Sequence, residues 1–330
     1  MDVYIFGAGA SAAEGLPATD QFFARAWELL SPDFDPPVRN VWRFLAGVFG
    51  VAVDRVDSFR FLPPVDEVIS LVDWCLHVNQ GLGGYDLPLL YQVRHDLEHL
   101  LCATLDAGLP DHPGGVGPHV RFVRALKQIG PGRPFALISL NYDTLLDDAL
   151  LGEGSGVDYG FAQLGTEPMP LLAKLHGSLN WALCPACSGI TVTRGHEAYL
   201  LPESNGLACG RCGGTRMRGL IISPTWQKRY QAFPLQQVWE AALGALQQAD
   251  RVVFVGYSIP PADVAIYHLI RRALLIGRRP DEVRFEVINH HKQEAGRLER
   301  ELHEASVLQR FGQLLGPRVS FDFSGFRGQV

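Results

Sequence analysis

The stretch Val3-Tyr4-Ile5-Phe6-Gly7-Ala8-Gly9-Ala10-Ser11 decides the fold: an apolar run breaks into glycines, and Ala12, Ala13, Glu14, Gly15, Leu16 and Pro17 follow. The run reads as a buried first strand, and the glycine-rich turn as the opening of a helix. An α/β sheet binds a dinucleotide at such a turn. Glycines let the backbone approach a pyrophosphate, and a helix N-terminus offers N–H groups and a positive dipole end. A tight strand-to-helix turn with no ligand has the same pattern. The stretch lacks the full three-glycine fingerprint, and no acidic ribose-binding residue stands at the usual spacing. An ordinary dehydrogenase is therefore not the natural reading.

Working outward, the 330 residues suffice for one large domain or two with ample core. Hydrophobic residues make up 47% and charged residues 19%, a globular balance, and a net charge of -6 gives no reason to expect a general nucleic-acid surface. No apolar run approaches the ~20 residues of a membrane span. The first strand starts at once, without the basic region or cleavage site of a signal peptide, so the expected location is the cytoplasm.

Residues 20–129 show mostly helical periodicity. Phe22, Phe23, Ala26, Trp27 and Leu30 form one apolar stripe, which Ser31-Pro32 ends. Trp42, Phe44, Leu45, Val48 and Phe49 form a second, and Val65, Val68, Ile69, Val72 and Leu76 a third, with Asp66-Glu67 favouring its N-terminal dipole. Leu89, Val93, Leu97, Leu100, Leu101 and Leu105 make a fourth, and Val120, Val123, Leu126 and Ile129 a fifth. These stripes read as the core of a helical module inserted after the first strand. The Gly/Pro-rich residues 109–118 read as a loop.

Strand signals return at Phe135-Ala136-Leu137-Ile138-Ser139, followed by Asn141-Tyr142-Asp143 and a helix through Leu145, Leu146 and Ala149. Polar residues just after a buried strand lie at the carboxyl edge of the sheet, where open α/β sheets hold ligands. Capping of the helix is the alternative for Asn141 and Asp143, and as isolated features they favour it. Residues 172–178 read as another short strand ending in a polar turn. There His176 is either an acid–base group or a loop histidine bonded to backbone. Residues 220–224 read as a return to the sheet, and Val238, Ala241, Ala242 and Leu246 as a helix. Residues 251–255 form a buried strand leading into a second glycine turn, Gly256-Tyr257-Ser258. A helix through Ile266, Leu269, Ile270, Ala273 and Leu274 follows. Residues 285–288 are one more strand, ending at Asn289. Residues 294–315 are helical, and residues 319–323 form a final edge strand.

Cys75 and Cys102 lie in apolar helical contexts and read as inert core thiols. Cys184-Pro-Ala-Cys187 and Cys209-Gly-Arg-Cys212 are two Cys-x-x-Cys knuckles about twenty residues apart, the spacing of a tetrahedral four-thiolate zinc site. Redox dithiols or disulfides are the alternative, disfavoured in a cytoplasmic chain. Four protein ligands leave no open position, so the Zn²⁺ is expected to be structural. It would clip a ribbon whose loop, residues 188–208, has little core of its own. Arg211, Arg216 and Arg218 read as solvated.

Taken in order, the motifs at 7–17, 141–145, 175–181, the four cysteines, 256–260 and Asn289 are similar to those of the sirtuin family. Within it they are closest in phrasing to the bacterial sirtuin-like proteins. The resemblance runs from residue 4 to about 290 and matches the helical module least. It implies an α/β fold with a Rossmann-like parallel sheet, an inserted helical module and a small four-cysteine zinc ribbon. The implied division is 1–19, 130–183 and 219–330 for the NAD⁺-binding domain, 20–129 for the helical module, and 184–218 for the ribbon. It also implies roles. Gly7, Ala8, Gly9 and Ser11 would line the pyrophosphate and nicotinamide ribose. Asn141 would position the attacking group, Asp143 would contact the nicotinamide carboxamide, and His176 would be the general base. Gly256 and Ser258 would hold the adenosine side, and Asn289 the adenine ribose.

Two departures from the deacylase branch bear on the acceptor. Ala18-Thr19-Asp20-Gln21 replaces a Phe-Arg pair after the first turn. Residues 223–230 replace the Phe-Gly-Glu segment that binds acyl-lysine peptide as an added strand. The expectation is an NAD⁺ hydrolase, with NAD⁺ as substrate. An NAD⁺-dependent protein-lysine deacylase is the alternative, and a non-catalytic NAD⁺ or ADP-ribose sensor a third. Bacterial relatives act in antiphage defence by depleting NAD⁺. That role implies a gated homo-oligomer or a regulatory partner subunit such as an ATPase or sensor, with the helical module as the gating surface.

Overall fold

The computed structural model describes residues 1–30, 35–52, 59, 61–110, 116–130, 133–164, 169–193, 207–226, 228, 233–277, 281–290 and 297–330. Ser31-Pro32, residues 111–115 of the 109–118 loop, residues 194–206 of the ribbon loop, Gln227, Arg229, Tyr230 and the start of the 294–315 helix lie outside the described residues. The chain divides into two compact units. The first comprises residues 1–15, 110–177 and 231–330, the second residues 16–109 and 178–230.

The first unit is built on an eight-stranded sheet. In chain order its strands are β1 (Asp2–Phe6), β2 (Phe135–Ser139), β3 (Val157–Asp158), β4 (Gln163–Leu164), β5 (Leu171–Lys174), β9 (Arg251–Val255), β10 (Arg284–Ile288) and β11 (Val319–Asp322). They lie in the order β11-β10-β9-β1-β2-β5-β3-β4. Every pairing is parallel except β3 with β4. The central strands are buried along almost their whole length, which is why they read as unbroken Val/Ile/Leu/Phe runs rather than alternating ones. Successive strands step from β1 to β2 and β5 on one side, then cross back to β9 on the other. The direction of winding thus reverses between β1 and β9, and the loops at their carboxyl ends lie side by side at the switch point, where open α/β sheets hold ligands.

The helices of this unit are α1 (Ala8–Ala12), α6 (Pro118–Ile129), α7 (Leu145–Gly152), α8 (Phe233–Gln247), α9 (Val264–Ile276) and α10 (Arg297–Leu315). The α6 helix, expected with the helical module, belongs to the sheet unit. Its Phe122 packs edge-on against Tyr4 and Phe6 of β1, at ring separations of 5.0 and 5.1 Å. The helix opened by the first glycine turn is short, only five residues.

The second unit contains α2 (Phe22–Leu29), α3 (Pro36–Phe49), α4 (Val65–His77) and α5 (Leu87–Gly108), with α5 packed on the other three. Pro36 and Pro37 start α3, where a missing N–H costs nothing, and Gly50 ends it in the left-handed region at φ +67°. The Asp86 carboxylate caps α5 by accepting from the Leu89 N–H at 3.1 Å. A three-stranded sheet of order β7-β6-β8 completes the unit, from β6 (Gly177–Leu183), β7 (Ile190–Val192) and β8 (Arg218–Ile221). Leu220 and Ile221, read from sequence as part of the large sheet, belong to this small one. The apolar pattern of a strand does not say which sheet receives it. Among the described residues no helix is long and apolar enough to cross a membrane.

Candidate active site

The four paired cysteines meet in the second unit. Their sulfurs all lie within 4.8 Å of one another. Cys184 Sγ is 3.6 Å from Cys212 Sγ, and Cys187 Sγ is 3.6 Å from Cys209 Sγ. A tetrahedron of thiolates about 2.3 Å from a zinc ion has edges of roughly 3.8 Å. The donor set therefore fits such an ion, and the separations are far from a bonded disulfide at about 2.05 Å. The two knuckles repeat one backbone design. In each, the first cysteine's N–H donates to the glycine carbonyl five residues on (Gly189, Gly214), and its carbonyl accepts from the N–H four residues on (Ser188, Gly213). Packing of the sulfurs sets their protonation apart. Backbone N–H groups of Cys212 and Arg211 pull the Cys209 thiol down to about 7. At Cys187 the Gly189 N–H acts the same way, but desolvation and the other three thiols outweigh it and push it up to about 12. Cys75 and Cys102 are buried and lie outside this cluster.

The other polar constellation lies wholly in the sheet unit, at the carboxyl edge. Three glycines are required there for contact between two turns. A β-carbon on Gly7 would lie 2.8 Å from the Gly256 carbonyl oxygen, and one on Gly9 would lie 2.9 Å from it. Gly256 has φ +62°, and a β-carbon there would meet the Ala10 amide nitrogen at 2.1 Å. The Gly9 N–H donates to Gly256 O at 2.8 Å and the Gly7 N–H to Val255 O at 2.9 Å. These two donors are thus committed within the protein, and Ala8 is the exposed residue of the turn.

Asn141, Asp143 and Ser11 form one buried network. Asn141 Nδ2 donates to Gly7 O at 2.9 Å and to Ser11 Oγ at 2.8 Å, and Ser11 Oγ donates to Asp143 Oδ2 at 2.6 Å. Asp143 Oδ1 accepts from the Leu145 N–H at 3.2 Å, so the capping role is real and coexists with the network. His176 follows β5 in the turn before β6, so the strand expected over 172–178 is two strands with the histidine at their junction. Its Nδ1 lies 2.9 Å from Leu140 O. With the proton on Nδ1, that contact fixes the tautomer and makes Nε2 the basic nitrogen. The structure therefore brings Gly7, Gly9, Ser11, Asn141, Asp143, His176 and Gly256 to the ends of β1, β2, β5 and β9.

Ser258 and Asn289 sit further along the same edge. The Ser258 carbonyl accepts from Arg310 of α10 at 3.1 Å. Asn289 is buried and holds loops together: its Oδ1 accepts from the His290 N–H at 2.9 Å, and its N–H donates to Asp322 O at 2.8 Å.

A family model described as SIR2-like domain matches residues 136–307, just over half of the chain. The chain belongs to the SIR2-like domain family. No curated protein sequence matches it. Three solved structures align with the SIR2-like chain over 99% of its length. One concerns the structural basis of sirtuin substrate affinity (14% identity, 89% of that chain, TM-score 0.44). Another concerns the mechanism and regulation of Sir2 enzymes (14% identity, 88% of that chain, TM-score 0.37). The third is Sir2 with the inhibitor EX-527, 2'-O-acetyl-ADP-ribose and a deacetylated p53 peptide (13% identity, 89% of that chain, TM-score 0.39).

Sequence reasoning missed several polar residues of this SIR2-like protein that surround the network. Ser139 Oγ accepts from the Asn141 N–H at 3.2 Å. Tyr257 donates to Asp263 at 3.1 Å beneath the second glycine turn. Lys174, Asp147 and Tyr159 form a buried cluster behind Asp143. The one available signal was a lysine inside the apolar run Leu171-Leu172-Ala173-Lys174-Leu175.

Proposed function

We propose that this protein cleaves the nicotinamide–ribose bond of NAD⁺ and passes the ribosyl group to water, giving nicotinamide and ADP-ribose. The observation that carries the reading is the convergence of Asn141, Asp143, Ser11 and His176 on the switch point of the sheet. Bond cleavage leaves nicotinamide neutral and the anomeric carbon electron-poor. The attacking water then loses a proton, so the balance is NAD⁺ plus water to nicotinamide, ADP-ribose and a proton. His176 Nε2 is the base that takes this proton. Asn141 commits its amide nitrogen to Gly7 and Ser11, which turns Oδ1 into the acceptor for the water. Each Asp143 oxygen keeps a second lone pair for the nicotinamide carboxamide. Gly7, Ala8 and Gly9 line the pyrophosphate, and Gly256, Ser258 and Asn289 the adenosine.

Zinc in the Cys184, Cys187, Cys209 and Cys212 cluster has a structural role, because four thiolates leave no position for a reactant. Water is favoured over an acyl-lysine acceptor by the segment after the ribbon. Ser223 Oγ donates to Glu98 at 2.7 Å, and the Trp226 N–H donates to Ser70 Oγ at 3.0 Å. Ser223 and Trp226 are thus fastened to α5 and α4 within their own unit, whereas capture of a peptide as an added strand uses a free strand edge.

An enzyme of this kind empties the NAD⁺ pool unless gated. The reading therefore extends to a cytoplasmic antiphage effector, held in check by homo-oligomerisation or a regulatory ATPase or sensor subunit. Product analysis tests the chemistry. NAD⁺ alone, and NAD⁺ with an acetyl-lysine peptide, are incubated with the protein and with His176→Ala. Nicotinamide and ADP-ribose without peptide, absent in the variant, are expected; turnover only with peptide, giving acyl-ADP-ribose, overturns the reading.

A further inference from the structure

We propose that Lys174 is a positioning residue, whose ammonium locks the loop carrying Asn141 and Asp143 to the strand end carrying His176. Lys174 ends β5 and is 0% exposed. Its Nζ donates to the Asp143 carbonyl oxygen at 2.5 Å and to Asp147 Oδ2 at 2.9 Å. Asp147, on α7, is 1% exposed, and its Oδ1 accepts from the Tyr159 hydroxyl at 2.5 Å. Tyr159 is itself fully buried.

A buried ion pair is a poor way to gain stability, because desolvation of both charges offsets their attraction. Apolar side chains of similar volume would fill this space at least as well. What they cannot supply is a donor to the Asp143 carbonyl, at the point where the 141–143 loop enters α7. Lys174 precedes His176 by two residues, so one ammonium spans the two polypeptide segments that carry the proposed base and the group that orients the water. Asp147 balances its charge, and Tyr159 fixes the Asp147 carboxylate.

The catalytic half of this inference rests on the NAD⁺ reading above; the geometric half does not. The test is a full-length triple variant, Lys174→Met with Asp147→Leu and Tyr159→Phe, which removes the cluster without leaving a buried charge or hydroxyl behind. Its melting temperature is expected to match or exceed wild type. Its kcat for NAD⁺ should fall about 10- to 100-fold, the cost of a misplaced reacting group, with KM little changed. Hydrogen exchange should quicken in peptides covering residues 140–146 and not elsewhere. A folded variant with wild-type kcat and wild-type exchange in that loop overturns the proposal, since a cluster that only holds the fold would leave both untouched. If the triple variant does not fold, Asp147→Asn decides by the same two readouts. If wild-type protein turns over no NAD⁺, the functional reading has failed, and loop exchange alone decides whether Lys174 holds the loop.

Discussion

At Gly256 a β-carbon would press on the Ala10 amide nitrogen at 2.1 Å, with backbone on every near side. Gly256→Ala is therefore expected to cost roughly 2–4 kcal/mol of stability, read by denaturant unfolding. His176→Ala, in contrast, is expected to leave the melting temperature close to wild type and lower NAD⁺ turnover about 10²–10⁴-fold. Glu14 sets an acid limit. Burial opposes its charge, but the His119 ring at 2.6 Å, the His119 N–H at 2.9 Å and the charge of the imidazole outweigh burial and hold its carboxyl below the ordinary value of 4.5. A lowered folded value means that the unfolded chain binds the proton more readily. The stabilisation is thus complete above pH 4.5 and is lost as pH falls through the folded value. Glu14→Gln should flatten that acid limb of a melting-temperature-against-pH curve. At this scale the sequence marked His176, Asn141 and Asp143 as polar residues after buried strands, but taken singly they suited backbone bonding and helix capping, and only the order of motifs shared with sirtuins gave them site roles. Lys174 was not legible, since its partner Asp147 lies 27 residues away and only the fold brings them together.

At the scale of elements, the ribbon carries its own prediction. Cys184→Ser, or a strong chelator, should release one zinc per chain by metal analysis and make the ribbon the first site of limited proteolysis, because among the described residues the apolar side chains packed with the cysteines are Ala182, Met217 and Leu207. The long buried strands β1, β2, β9 and β10 were readable as apolar runs. The two-residue β3 and β4 and the three-residue β7 were not, because such lengths show no periodicity. The first glycine turn was read as either a ligand cradle or a plain tight strand-to-helix turn. In the structure Gly7, Gly9 and Gly256 make room for each other, a demand that comes from β9 lying beside β1 and has no local signal. The destination of Leu220 and Ile221 was likewise hidden, since β6 and β7 form the sheet that takes them.

On the scale of the whole molecule, the chain leaves the sheet unit at residue 15, returns at 110, leaves again at 177 and returns at 231. The parallel register sets Asp2 opposite Arg251, 249 positions apart. On a ribosome adding about 5–20 residues per second, β1 waits on the order of tens of seconds for its second neighbour. Throughout that wait a strand as sticky as Val3-Tyr4-Ile5-Phe6 stays open on one edge. Refolding from denaturant is accordingly expected to be slow and prone to aggregation, with protease resistance at β1 appearing no earlier than at β9 in a pulse-proteolysis time course. The edge of the sheet between β1 and β9 does not exist until β9 has been made, with β10 and β11 of the sheet still to follow. Under the proposed function, a nascent chain is thus unable to engage NAD⁺, and so to deplete it, before β9 has joined β1.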